Sequence, residues 1–485
     1  MQSVDTVRRL TSGRLARPQR LLLMVGVGLL FVYLLSWSGI LQALELVTYD
    51  FRLWLRGPRP PHPSIAIVAI NDESFNVLNQ NVRTWRRSNY ARLIEAIAAG
   101  HPAVIGVDVA WIHASPDPDE DEELARSLQQ AGNVILTSLI EHQAGAGYEY
   151  NRYAPPVAPL VEAASGVGLV NLTRDNDGVV RRAALWRFHN DVWYSAFGYE
   201  IARTYLHQPV APFDPATNVV TLGQHHLHLD SGQDLLINFR GGQATFPTFS
   251  MYQVLNGEVS VEAFADKIVL IGFTTSLEQD LHATAFNPPW GSPELVPGVE
   301  IHANVIASLL NGNPIRRAPA WLSAALSLTA LVLTALVFWQ LRPAMAMVAT
   351  GGLALAYLGV AFFLFGRADL WLPVVSPLGL VGIAATGGLV ERVLIEEREK
   401  RRIRARFQSF MAPERLSAVL SRWEELLAED RPEIAATVLF SDIRGFTSAT
   451  EALTRQGRSG EVIRFLNRYT DAMIEAIFAE RGVLD

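Results

Sequence analysis

At 485 residues the chain has room for two to four domains. It is 49% hydrophobic and only 18% charged, which argues against a wholly soluble enzyme, and its formal net charge of −7 argues against nucleic acid as a partner. The absence of cysteine excludes a disulfide-braced scaffold.

The N-terminal residues 1–20 carry Arg8, Arg9, Arg14, Arg17 and Arg20 and precede an apolar run over 21–41 without Asp, Glu, Lys or Arg. That run approaches the roughly 20 residues that cross a hydrocarbon core. The arginines place the N-terminus in the cytoplasm. A cleaved signal peptide is the competing reading, but the apolar core is longer than a usual signal and no clear Ala-x-Ala site follows. The run is therefore read as an uncleaved anchor.

Residues 45–315 then fall outside the cytoplasm. Their first part alternates strand and helix: a strand over 65–70, a helix over 88–99 with Ser88 as its cap, a strand over 104–109, a charged helix around 122–130 and a strand over 134–139. This order predicts a largely parallel α/β core. A β-rich stretch follows, with strands over 168–172 and 179–188 around an Asp177-Gly178 turn, then 219–222, 227–229, 235–240 and 267–273. A helix is predicted from 297 to about 310.

Several segments in order, 67–74 (I-V-A-I-N-D-E-S), 104–108 (V-I-G-V-D), 177–182 (D-G-V-V-R-R), 236–241 (L-I-N-F-R-G), 266–272 (D-K-I-V-L-I-G) and 297–304 (P-G-V-E-I-H-A-N), make this region similar to the CHASE2 family. Those are extracytoplasmic sensor domains of bacterial receptors, typically followed by three transmembrane helices and a cytoplasmic output domain. The resemblance implies sensing of an unknown extracytoplasmic ligand. Asp72 and Asp108 stand at strand C-terminal ends, where parallel sheets place ligand sites. Asp280, His282, Glu300 and His302 lie near the last helix. A metal or small-ligand site is one reading of these residues. The other, favoured because no tight spacing such as His-x-x-x-His occurs, is that the aspartates cap and the histidines pack. His225, His226 and His228 read as a solvated hairpin.

Three further uncharged apolar runs, 321–340, 344–365 and 371–390, are predicted to span the membrane as a compact bundle joined by short turns. Arg342, and Lys400, Arg401, Arg402, Arg404 and Arg406 after the last run, agree with cytoplasmic turns and tail. A multi-pass protein of a bacterial plasma membrane is expected. No ionisable residue lies inside the runs, which argues against a transporter. Over 391–430 a helical linker is expected. Val393, Ile403, Phe407 and Phe410 give it a partial apolar stripe, which suits either a dimeric stalk or a solvated helix. No phosphoacceptor-histidine helix of a sensor kinase follows the last run.

The stretch 435–447 (A-A-T-V-L-F-S-D-I-R-G-F-T) reads as a strand delivering Asp442 at its end, then a glycine turn and a helix with Val462, Phe465, Leu466, Tyr469, Met473 and Ile477 at helical spacing. These residues resemble the first metal-binding motif of the class III adenylate/guanylate cyclases. The resemblance covers about the first third of such an α+β, ferredoxin-like domain, over 435–485. It implies that Asp442, helped by the carbonyl of Ile443, binds two Mg²⁺ or Mn²⁺ ions, that ATP is converted to cyclic AMP and diphosphate, and that the protein is a homodimer. Adenylate is preferred over guanylate by family frequency alone. The family's selecting lysine, second aspartate and Asn/Arg pair would follow Asp485, so the chain as given is expected to be inactive. A non-catalytic sensor with a degenerate output domain is the competing reading.

Overall fold

The computed structural model describes residues 26–28, 30, 33–34, 37–78, 85–145, 148–209, 219–230, 234–275, 280–288, 290, 292–407 and 437–480. The chain forms two compact units, Met1–Ala385 and Thr386–Asp485.

In the first unit, helix α1 (Ile40–Arg56) starts after Gly39, whose φ of 76° allows the turn. Strands β1 (Ile65–Ile70), β2 (Val104–Asp108), β3 (Val134–Gly145), β4 (Tyr148–Ala154) and β5 (Gly166–Leu169) alternate with helices α2 (Asp72–Val77), α3 (Arg87–Ala98), α4 (Pro118–Ala131) and α5 (Ala158–Ala163). Short strands follow: β6 (Thr173–Arg174), β7 (Val180–Ala184), β8 (Trp186–His189) and β9 (Val192–Ser195), then helix α6 (Phe197–Tyr205). Next come β10 (Val219–Leu222), β11 (His225–His228), β12 (Asp234–Leu236), β13 (Thr248–Ser250), α7 (Met251–Leu255) and β14 (Ile268–Phe273). The domain closes with β15 (Leu281–Ala283), β16 (Leu295–Pro297) and α8 (Gly298–Leu310).

The main sheet runs β13-β1-β14-β2-β3, with β5 alongside β3, and all of these pairs are parallel. Strand β4 pairs antiparallel with the distal half of β3. Strands β1 and β14, and β2 as far as Asp108, are apolar because both faces are covered. Ile65 and Ile67 join Phe197, Ile201, Ile301 and Val305 of α6 and α8 on one face. Val68 and Ile70 join Ile94, Ile97, Leu124 and Leu128 of α3 and α4 on the other.

The expected strands 65–70, 104–109 and 267–273 hold within a residue. The strand expected over 235–240 ends at Leu236 and that over 179–188 divides into β7 and β8. Other details differ as well. Helix α3 has Arg86 as its N-cap rather than Ser88, because Glu120 of α4 accepts the Arg87 amide at 3.0 Å and does the capping from across the interface. The helix α6, absent from the sequence reading, follows β9 directly. Among the hairpin histidines, His226 and His228 are exposed as expected, whereas His225 packs against Gly312.

Helices α9 (Ala320–Gln340), α10 (Pro343–Ala368) and α11 (Val375–Phe407) follow; Ala320–Gln340, Pro343–Ala368 and Val375–Leu394 are long and apolar enough to cross a membrane. The last begins at Val375 rather than 371. Strand β18 (Leu370–Trp371) is occupied in parallel pairing with β17 (Arg316–Arg317), and Pro373 separates it from the helix. The expected span over 21–41 lies partly outside the described residues; within it Gly28 packs against Leu331 and Leu380. Linker residues 408–430 also lie outside them.

In the second unit, α12 (Phe446–Arg455) follows Gly445 (φ 74°) and α13 (Ser459–Ala479) carries the expected spacing, with Leu466, Tyr469, Met473 and Ile477 half-buried and Phe465 exposed. The expected strand is not formed. Residues 437–442 are unpaired and Phe440 is 92% exposed. A strand needs a neighbour, and no strand of this unit occurs among the described residues.

Gly168 of β5 abuts α6: a Cβ there would lie 2.5 Å from the Phe197 Cα and 2.7 Å from its N. Gly168→Ala should cost about 2–3 kcal/mol through backbone displacement, measured as a lowered urea midpoint.

Candidate functional site

The sheet positions the site. In chain order β1, β2, β3 and β5 step one way, whereas β13 and β14 are added on and beside β1, so the strand order reverses around β1 and β14. Ligand crevices of open parallel sheets lie at the C-terminal ends of strands near such a reversal. Here β14 runs out at Phe273, β2 ends on Asp108 and β5 leads into Val170 and Asn171. A cavity of about 630 Å³ opens there, lined among others by Asp108, Asn171, Arg174, Asp280, His282 and His302.

Its polar groups are largely paired with one another. Arg174 Nη2 lies 2.9 Å from His282 Nδ1, and His282 Nε2 lies 2.8 Å from Asp280 Oδ1. A guanidinium only donates, so Nδ1 accepts and the Nε2–H donates to Asp280. His302 is buried edge-on against Phe197, with ring centroids 5.4 Å apart, and bonds the Val170 backbone. Burial pulls its pKa down to about 4, against the opposing charge of Asp280, and His282 adds to the fall. Asp108 is different. Its Oδ2 is shut off from solvent without a hydrogen-bond partner among the described residues, and burial together with the Asp280 charge pushes its carboxyl well above the usual carboxylate range. Gly298, at the first turn of α8, makes room for Asp280: a Cβ there would lie 2.3 Å from Oδ2.

The structure thus brings Asp108, Asp280, His282 and His302 to one cavity and leaves Asp72 and Glu300 out of it. Asp72 accepts from Thr275 Oγ1 at 2.5 Å, latching the end of β1 to that of β14, while Asn71 caps α2. Glu300 accepts the amides of Ala244 (3.0 Å) and Thr245 (2.7 Å). Among the described residues no group of three or more His, Cys, Asp or Glu is placed to hold a metal. Sequence reasoning missed Arg174 and Asn171; the only signal was their position beside the Arg174-to-Gly178 turn. In the second unit, Asp442 Oδ1 accepts its neighbour's Ile443 amide at 2.8 Å in an exposed segment. Asp442 supplies one carboxylate of those a two-metal site requires, and no step is derived through the ions.

The CHASE2 domain model matches residues 27–341, well over half of the chain. The chain belongs to the CHASE2 family. CHASE2 is an extracellular sensor domain. No curated protein and no solved structure matches the chain.

The CHASE2 domain also grips the helices beside it. Helix α1 is fixed to it by Arg181 of β7, 1% exposed, whose guanidinium meets Asp50 (2.6 Å), Asp175 (2.9 Å) and Asp177 (2.7 Å). Burial, reinforced by Asp177 and Asp175, pushes Asp50 up to about 6 although Arg181 opposes it. One turn to either side of Tyr49, which packs on Phe365 and Trp371, α1 carries buried Glu45 and Arg52. Glu45 Oε1 accepts the Val374 and Val375 amides at 2.9 and 2.7 Å, capping α11 from outside. Arg52 donates to the Leu372 carbonyl at 2.7 Å, and Arg59 pairs with Asp369 at 2.8 Å. The turn between α10 and α11 is thereby clasped by α1.

Two outcomes follow. His302 refuses a proton that the unfolded chain accepts, so its contribution is fully present above pH 6.5 and is lost as pH falls through 4, by about 3 kcal/mol. Asp50 acts in the opposite sense between 3.8 and about 6. His302→Gln should therefore flatten the acid-side fall of stability relative to wild type in urea unfolding across that window. Glu45→Ala should raise amide hydrogen exchange at Val374 and Val375 by roughly tenfold or more, read by mass spectrometry.

Proposed function

We propose that this CHASE2 protein is a membrane receptor that binds a small ligand in the cavity at the sheet edge and regulates a cytoplasmic class III adenylate cyclase, which converts ATP to cyclic AMP and diphosphate. The observation that carries the sensing half is a cavity at the strand reversal that holds a buried carboxyl oxygen without a partner among the described residues. The clasp supports the relay. A movement at the cavity edge that reaches α1 acts on the N-terminus of α11, which continues unbroken to Phe407. Four crossings, with residues 45–315 outside and both ends in the cytoplasm of a bacterial cell, suit the distribution of arginines. The cyclase half rests on the F-S-D-I-R-G-F-T string and the helix after it, with Asp442 and Ile443 in the metal-binding role and a homodimer as the assembly.

The competing reading is a non-catalytic sensor with a degenerate output domain. Membranes of cells expressing the native gene should make cyclic AMP from ATP with Mn²⁺. Asp442→Asn in that gene should reduce production by about 100-fold or more. Absence of cyclic AMP, or indifference to Asp442→Asn, would leave the non-catalytic sensor as the reading.

A further inference from the structure

The residues lining the cavity differ in how much hydrogen-bonding capacity they have left. Asn171 accepts from the Ile140 N at 2.7 Å and donates one N–H to the Ile140 O at 3.0 Å, which leaves it one N–H. Arg174, exposed at the rim, directs a guanidinium nitrogen onto His282, whose second nitrogen is taken by Asp280. His302 bonds the Val170 backbone, and as a neutral ring donating there it offers only a lone pair elsewhere. Two carboxylates remain. Asp280 has one oxygen committed to His282, and Asp108 has Oδ2 buried with no donor among the described residues. Leaving such an oxygen without a donor is unfavourable. Around them the walls are apolar, from Val109, Ala110, Leu172 and Phe273.

The carboxyl oxygens of Asp108 and Asp280 therefore leave acceptors to spare inside the cavity, while its arginine stands at the mouth. An anion placed beside Asp108 would meet two carboxylates; a group with several N–H donors and a positive charge would answer both. On the reading of this cavity as the ligand site, we propose that it binds a small organic cation, a primary ammonium on a short aliphatic body, with the ammonium between Asp108 and Asp280 and the carbon chain against Leu172 and Phe273. Burial and the charge of Asp280 already push the Asp108 carboxyl up, the direction that a neighbouring ammonium reverses.

The test uses the full chain in lipid nanodiscs and three probes of equal length, butylamine, butyrate and 1-butanol, with binding followed by calorimetry and by thermal shift. Butylamine should bind, butyrate and butanol should not. Asp108→Asn should weaken butylamine by about tenfold or more, with the melting temperature without probe equal to wild type or higher. Leu172→Trp, which fills the cavity, should abolish binding. If butyrate or butanol binds and Leu172→Trp removes that binding, the cavity is a ligand site but the ammonium assignment is overturned. If no probe binds, or butylamine binds undiminished to both variants, the ammonium assignment and the assignment of the cavity as its site both fail.

Discussion

The insertion of β14 between β1 and β2 is the constraint on which the rest of the sensor depends. Ile268 to Phe273 pairs in register with Ile65 to Ile70 on one side and with Val104 to Asp108 on the other. A strand from late in the domain thus supplies the ladder that joins the first two. It sets the ends of three strands side by side and puts Thr275 against Asp72. It also directs the chain into β15 and α8, which return Asp280, His282 and His302 to the edge where Asp108 already stands. Without that insertion the carboxylates and histidines of the cavity would belong to separate parts of the molecule.

The same frame shows what the family motifs do physically. In P-G-V-E-I-H-A-N, Glu300 and Asn304 hold backbone amides of Ala244, Thr245 and Arg240, fastening α8 to the loop before β13. Gly298 is there because the Asp280 carboxyl occupies the space of its missing side chain. Only His302 of this motif faces the cavity. Most of the sequence by which the family is recognised therefore builds the site rather than lining it.

Much of the α/β core was legible because strands buried on both faces read as unbroken apolar runs, and β1, β2 and β14 were found to within a residue. Helix α6 was not, since its short length and its start directly after β9 gave no cap to read. The placement of Asp108, Asp280, His282 and His302 was anticipated as a possibility, yet their convergence follows from strand order, which periodicity does not encode. Glu45 and Arg52 were passed over for a related reason. Their partners, Val374 and Leu372, lie 329 and 320 residues away, and nothing local marks a carboxylate that caps so distant a helix. The reading of 437–442 as a strand failed in the other direction: the β-branched and apolar run is present, but local propensity does not make a strand without a paired edge.

The position of β14 also sets an order of events. Asp72 and Thr275 are 203 residues apart, and until the later one exists β1 and β2 have no strand to fill the space between them. During synthesis both edges of β1 and one edge of β2 lack their partner strands until β13 and β14 are made, in a topology whose long-range parallel pairing is intrinsically slow. The early strands are thus open to mispairing until the late strands arrive, and the same late stretch of chain that closes the sheet also carries the cavity edge and α8.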